Sequence, residues 1–269
     1  MRAAELELLL QSTCCTAGPL HVAGRPSSGT HSLVLTEWTS HHIPKMGQDL
    51  SLAGLLSVPP SACYAGTRGP LDMVEVPSHT LELFASDPRV LRGLALPDSR
   101  GQPIPAALLA ELAASKHRFA ALEQQTQLQL CLVDQLLHGP DPPTGARVEE
   151  AVAEVTQDHS SFGPVPGTLP HLRFTHIVGY GAVYYSYLYA QSLAAQLWQR
   201  HLEADPLGRA AGERLRRRLL EPGGAKEAHH LVADLFEPSG SEPSGGAPVL
   251  LEVNGGCYPN PSALLEWPV

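Results

Sequence analysis

Residues 106–138 read AALLAELAASKHRFAALEQQTQLQLCLVDQLLH, a stretch with no proline or glycine that closes at Gly139-Pro140. Ala, Leu, Glu and Gln dominate it; these residues give up little side-chain freedom in a helix. Pro105 stands where a first helical turn tolerates proline, and Gly-Pro ends the run. The stretch predicts one long bent helix or two consecutive ones. The same reading extends to both sides. Helical patterns cover Leu71–Ala85, Ala146–Gln157, Tyr180–Leu202 and Ala225–Phe236. A further helix is predicted to open at Asp205-Pro206, with Asp as N-cap and Pro in the first turn, and to close at Gly223-Gly224. Alternating strand patterns are nearly absent and no internal repeat is visible, so the fold class is all-α.

The chain has 269 residues, 25 of them Pro and 24 Gly. That is high for a helical protein, and the punctuation is concentrated at the two ends and in the joints between helices. Residues 1–63 carry little helical periodicity after a short opening stretch. From Glu237 the chain turns to Pro-Ser-Gly-Ser-Glu-Pro-Ser-Gly-Gly and later Asn254-Gly-Gly-Cys-Tyr-Pro-Asn-Pro261. This is linker or turn chemistry, expected to lack fixed structure. The division predicted is 1–63 irregular, 64–236 helical body, and 237–269 a Pro/Gly/Ser-rich tail.

Composition excludes several functions. A formal charge of −9 argues against a general nucleic-acid binder. No apolar run reaches the length of a membrane span. Five cysteines without a C-x-x-C fit neither a disulfide framework nor a cysteine zinc knuckle. Glu5 and Glu7 near the start disagree with an Arg-rich mitochondrial presequence. Arg214 and Arg216–Arg218 are read as a solvated helix face, His229-His230 as surface, and Cys131 as a small core residue.

Two constellations carry possible chemistry. Glu75, His79 and Glu82 stand four and three residues apart, a spacing that puts them on one helix face, where two carboxylates and an imidazole can hold a divalent cation. Pro77 complicates that face, because proline belongs in a first turn. The alternative is that Glu75 complements the helix dipole while His79 and Glu82 are surface residues. The second constellation runs from Arg173 to Tyr189. Five of the seven tyrosines fall within residues 180–189, preceded by His176, Gly179 and Gly181. On a helix, Tyr180, Tyr184 and Tyr187 would direct their hydroxyls along one face. Phenols can donate hydrogen bonds to a developing oxyanion, and a histidine can do the same or orient a carbonyl. The alternative is an aromatic core stripe with satisfied hydroxyls.

Four stretches, in order, carry a family resemblance. They are Gly66–Ser78 (GTRGPLDMVEVPS), Gly101–Pro105 (GQPIP), Phe174–Leu188 and Asp205–Arg214 (DPLGRAAGER). Residues from about Tyr64 to Phe236 resemble the C-terminal part of the thimet-oligopeptidase-type zinc metallopeptidases. Compared with that family's H-x-x-G-G-Y element, one residue is missing between His176 and Tyr180, as in its mitochondrial intermediate peptidase branch. The resemblance implies a helical, clam-like peptidase with a deep substrate channel. It makes Glu75 the third zinc ligand, and His176, Tyr184 and Tyr187 residues that contact substrate and stabilise its transition state. Tyr180 follows as a substrate-binding residue. It also implies a peptide or precursor-protein substrate, octapeptide removal from imported precursors, and the mitochondrial matrix.

The family's H-E-x-x-H is absent, since no histidine of the chain is followed by glutamate. Lys45 and Gln48 occupy the nearest counterpart, and His41 and His42 are adjacent, so they project in different directions. Catalytic zinc needs three protein ligands and an open position. The expectation is a truncated form that does not retain zinc and does not hydrolyse peptides. The alternative is a non-catalytic helical module for peptide binding or subunit pairing.

Overall fold

Proline and glycine set the helix boundaries in the computed structural model, which describes residues 68–237, 248–253 and 256–266. The irregular stretch expected over 1–63, with His41, His42, Lys45 and Gln48, lies outside the described residues. The helix expected over Leu71–Ala85 is two: α1 (Leu71–Val74) and α2 (Val76–Ser86). Pro77 cannot donate to the carbonyl four residues back, so the ladder is interrupted at Glu75 and restarts with Pro77 in the first turn. α3 (Pro88–Leu94) is capped by Asp87, whose carboxylate accepts the N–H groups of Arg89 at 2.7 Å and Val90 at 3.4 Å. Residues 106–138 form two helices, α4 (Ala106–Lys116) and α5 (Ala120–His138). α6 (Arg147–His159) packs against α5.

Two expected boundaries are corrected. The helix predicted from Tyr180 to Leu202 begins only at Ser186. A single turn, α7 (His176–Gly179), comes first, then a turn segment in which Ala182 has φ 68°. That left-handed backbone cannot belong to a right-handed helix. The helix itself, α8 (Ser186–Leu197), continues through a π-helical turn to Leu202. The N-cap at 205 is likewise displaced. Asp205 accepts the Gly208 N–H at 3.0 Å through its own carbonyl, and this turn delays α9 (Arg209–Leu215) until Gly208 can cap it. α9 also runs on through a π-helical turn to Leu220, and α10 (Ala228–Phe236) follows.

α8 is the central element, packed against α1 and α2. Ala190, Leu193, Ala194 and Leu197, three and four residues apart, are all buried. Around them gather Met73, Val76, Phe84, Val90, Leu219 and Leu235, each contributing roughly 1.5–3 kcal/mol if it is a large side chain fully withdrawn from water. Phe84 and Trp198 close one side edge to face, at 5.2 Å between centroids. On the outside, Arg216 and Arg217 pair with Glu213, while Arg214 donates to the Leu235 and Glu237 carbonyls at the end of α10. The reading of this cluster as a solvated face holds for Arg217, and Arg214 also ties two helices together.

The tail departs from expectation. β1 (Leu250–Val253) and β2 (Gly256–Pro259) pair antiparallel, with Leu251 opposite Tyr258, and a 3₁₀ turn spans Pro261–Glu266. Ser192 of α8 donates to the Asn260 carbonyl at 2.7 Å, Gln196 donates to that of Val249 at 3.2 Å, and Ala263 packs against Leu83, Ala194 and Ala195. Polar groups on α8 thus satisfy the backbone of a segment that composition alone marks as linker. Every other regular element among the described residues is helical, and no described helix is long and apolar enough to cross a membrane.

Candidate functional site

The break between α1 and α2 puts Glu75 in the interior. Its backbone stays near the right-handed region (φ −94°, ψ −2°) and its side chain is only 2% exposed. The Ser78 hydroxyl lies 2.8 Å from Glu75 Oε2 and 2.8 Å from the Glu75 carbonyl oxygen. One turn on, His79 is 4% exposed, its Nδ1 3.6 Å from Oε2 of half-buried Glu82. Its ring meets Tyr187 edge on, at 6.4 Å between centroids. The reading of His79 as a surface residue is therefore corrected: α2 turns this face toward α8.

The tyrosine segment is held by α5. Asp134, fully buried, accepts the backbone N–H of Ala182 at 2.9 Å and of Tyr184 at 3.0 Å through its two oxygens. Gln135 Nε2 donates to the Ala182 carbonyl at 3.0 Å. His138 Nδ1 lies 2.9 Å from Asp134 Oδ1. Gly181 packs so closely that a β-carbon there would lie 2.6 Å from His138 Nε2 and 2.9 Å from the Ile177 carbonyl. Only glycine fits that position.

So anchored, the rings gather. His176 lies 5.4 Å from Tyr184, 5.9 Å from Tyr187 and 6.1 Å from Tyr180, centroid to centroid. Tyr180 and Tyr187 are 5.7 Å apart. Burial, then the negative charge of Glu75, pushes the Tyr180 and Tyr187 phenols above their ordinary range. A hydrogen bond to Glu75 raises Tyr180 further, and one from Tyr187 works the other way. Both phenols are therefore protonated at neutral pH.

The helix-face argument for the three tyrosines does not describe their arrangement, because 180–185 is not helical. The hydroxyls also part. Tyr184 donates to Gln127 Oε1 at 3.2 Å, and burial pushes its phenol up to about 12. Tyr180 and Tyr187 serve the Glu75 side. His176 joins through its ring. Glu82 stays half-buried, paired with His79. Sequence reading missed Asp134, Gln127 and Ser78. The available signal for Asp134 was a lone acid inside the apolar run Leu130–Leu137, where an ionised side chain is costly unless partnered.

Residues 51–242 match the family model of Peptidase family M3. The chain belongs to that family. Among M3 relatives it is similar to the mitochondrial intermediate peptidase of Arabidopsis thaliana, 41% identical over 69% of this chain and 26% of the relative. The rat and human mitochondrial intermediate peptidases are 40% and 39% identical, each over 64% of this chain and 24% of their own length. This M3 chain thus spans about a quarter of the relatives it matches.

The zinc that the resemblance implies can be tested against the side chains present. Among the described residues no group of three His, Cys, Asp or Glu side chains is placed to hold a metal ion. Glu75 offers one carboxylate, already engaged with Ser78. One such ligand does not make a zinc site. The described residues do not fit the ion by themselves.

Proposed function

We propose that residues 68–237 carry the carbonyl-contacting side of an intermediate-peptidase-type endopeptidase site, and that this 269-residue chain binds extended peptide there without hydrolysing it. The observation that carries the reading is the meeting of buried Glu75 with the phenols of buried Tyr187 and half-buried Tyr180, beside His176. A protonated phenol held in a partly dry site can donate to a peptide carbonyl. Tyr187 and Tyr180 are the residues suited to that task; each has a single hydroxyl proton, which a bound carbonyl takes in place of its present acceptor. Tyr184 supports it by packing edge to face on Tyr187 at 5.0 Å. His176 lines the same cluster and orients the carbonyl. By family resemblance Glu75 is the third zinc ligand of an intact enzyme. With no His-Glu pair in the sequence, the two histidine ligands and the base that removes a proton from water are not supplied. The substrate of an intact relative would be a precursor protein trimmed by an octapeptide in the mitochondrial matrix, and that is the peptide class proposed for this site.

The test uses the full chain, metal analysis, a quenched octapeptide and a fluorescein-labelled octapeptide. Binding without cleavage, and zinc well below one per chain, are expected. Chelator-sensitive cleavage with one zinc per chain overturns the non-hydrolytic reading. No detectable binding overturns the peptide-binding one.

A further inference from the structure

We infer that Asp134 is a positioning residue for the tyrosine cluster. By accepting two backbone N–H groups, its carboxylate holds the 181–184 turn in the one shape that brings Tyr180 and Tyr187 to Glu75. The consequence for peptide binding rests on the function proposed above, whereas the positioning itself rests on geometry alone.

The carboxylate is fully buried on α5. Its two oxygens divide between two amides, Oδ1 to Ala182 at 2.9 Å and Oδ2 to Tyr184 at 3.0 Å. These amides lie just before α8, where backbone donors lack helical partners. An acid normally caps its own helix from the preceding residue. Here the acid comes from α5, about fifty residues earlier, so the start of α8 is fixed to α5 and not merely closed. The turn needs such an anchor. Ala182 sits at φ 68°, a backbone that a non-glycine residue adopts at a cost. Gln135 holds the Ala182 carbonyl from the other side, and His138 holds Asp134 Oδ1 at 2.9 Å and abuts Gly181.

The grip extends along one stripe of α5. Gln127, Cys131, Asp134 and His138 are spaced four, three and four residues apart, which places them on one face. Gln127 takes the Tyr184 hydroxyl, and Cys131 packs against Tyr184 and Tyr187. Every member of the stripe touches the tyrosine segment or the acid that anchors it. A buried acid that only stabilised the fold would have no need to hold the strained residue between Tyr180 and Tyr184.

The test compares the full chain with Asp134→Asn and Asp134→Ala, and with Leu109→Ala as a control. Leu109 is buried with Leu91 and Leu112, outside the tyrosine cluster, so its loss destabilises without touching the turn. The readouts are amide hydrogen exchange at residues 182 and 184, the near-ultraviolet tyrosine dichroism, and affinity for the fluorescein-labelled octapeptide. In the unsubstituted chain the Ala182 amide should exchange slowly although Ala182 is an exposed residue. In Asp134→Asn both amides should exchange at least about tenfold faster, as loss of a charge-assisted hydrogen bond predicts. The tyrosine dichroism should change and octapeptide affinity should fall. Leu109→Ala should change none of these while lowering stability. Unchanged exchange and dichroism in a folded Asp134→Asn overturns the inference. If neither Asp134 variant folds, the unsubstituted chain decides: fast exchange at 182 and 184 overturns it, and slow exchange supports it. If the unsubstituted chain binds no octapeptide, the proposed function fails, and exchange and dichroism still decide the role of Asp134.

Discussion

The Ser78 hydroxyl lies 2.8 Å from Oε2 of Glu75, three residues back in the chain at the N-cap of α2. This short link holds a buried carboxylate beside Tyr180 and Tyr187, whose phenols are raised by burial and then by its charge. The local cause is Pro77. It ends α1, restarts the helix at α2, and leaves Glu75 at the corner between them, facing α8 instead of solvent.

Replacing Glu75 tests that coupling directly. In Glu75→Gln the negative charge is gone and the amide can still accept hydrogen bonds. The sign follows from the charge: a nearby carboxylate disfavours phenolate, so its removal lowers the Tyr180 and Tyr187 values toward ordinary tyrosine. Burial, the larger cause, keeps them elevated. The spectrophotometric tyrosine titration should therefore begin at lower pH than in the unsubstituted chain. Superimposable titrations would show that Glu75 does not face these phenols. Glu75→Ala should also cost about 1–3 kcal/mol in urea unfolding, because buried donors lose their acceptor.

The central helix provides the second prediction. Leu193 is fully buried among Ala190, Leu197, Phe84 and Val90 in a single cluster. Leu193→Ala should lower the unfolding free energy by about 2–5 kcal/mol, the range for a cavity in a packed core. Leu96, 82% exposed, supplies the contrast: Leu96→Ala should stay within about 0.5 kcal/mol. Equal losses at both positions would mean that α8 is not the core element.

How much of this was legible beforehand depends on how local the signal was. The helical body followed from periodicity, since Leu and Ala at spacings of three and four leave few other ways to bury a face. The split of residues 106–138 into α4 and α5 is one of two arrangements the sequence allows, and nothing local decides between them. Tyr180 to Tyr185 escaped because the conformation of Ala182 is imposed by Asp134, an acid about fifty residues away in sequence. The hairpin at 250–259 escaped for a similar reason. Its Gly- and Pro-rich sequence reads as linker, yet Ser192 and Gln196 of α8 satisfy the carbonyls of Asn260 and Val249 that flank it. In the candidate site, Glu75 and the tyrosines were visible as a motif. The partners that position them, Ser78, Gln127 and Asp134, are ordinary polar residues whose role exists only in three dimensions.

Asp87 gives a stability prediction with a defined pH dependence. Its carboxylate caps α3 and meets the Arg89 guanidinium, with Nη2 2.6 Å from Oδ2. Burial alone would raise its carboxyl. The hydrogen bonds from the Arg89 side chain and backbone outweigh that and hold it below the usual aspartate range. A depressed folded-state value means the contribution is fully present above the unfolded value, near pH 4, and is lost as pH falls through the folded one. Asp87→Ala should cost about 1 kcal/mol at pH 7. The difference between the two chains should shrink progressively below about pH 4. A gap that widened on acidification would contradict the assignment of Asp87 as an ionised cap.

Cys131 supplies the last prediction. It lies in the α5 stripe against Tyr184 and Tyr187, and burial, then the charge of Asp134, pushes its thiol up to about 12. The thiolate is the reactive form, so at pH 7–8 this residue carries almost none of it. Brief treatment of the folded chain with iodoacetamide, followed by peptide mass mapping, should leave Cys131 unmodified. After unfolding in urea the same residue should label readily, because both burial and the neighbouring carboxylate are removed. In a folded Asp134→Asn variant, loss of the negative charge lowers the thiol value while burial persists, so labelling should remain slow. Fast labelling of the folded, unsubstituted chain at Cys131 would mean that the face of α5 under the tyrosine turn is open to solvent, and would undercut the buried stripe on which the placement of the tyrosines depends.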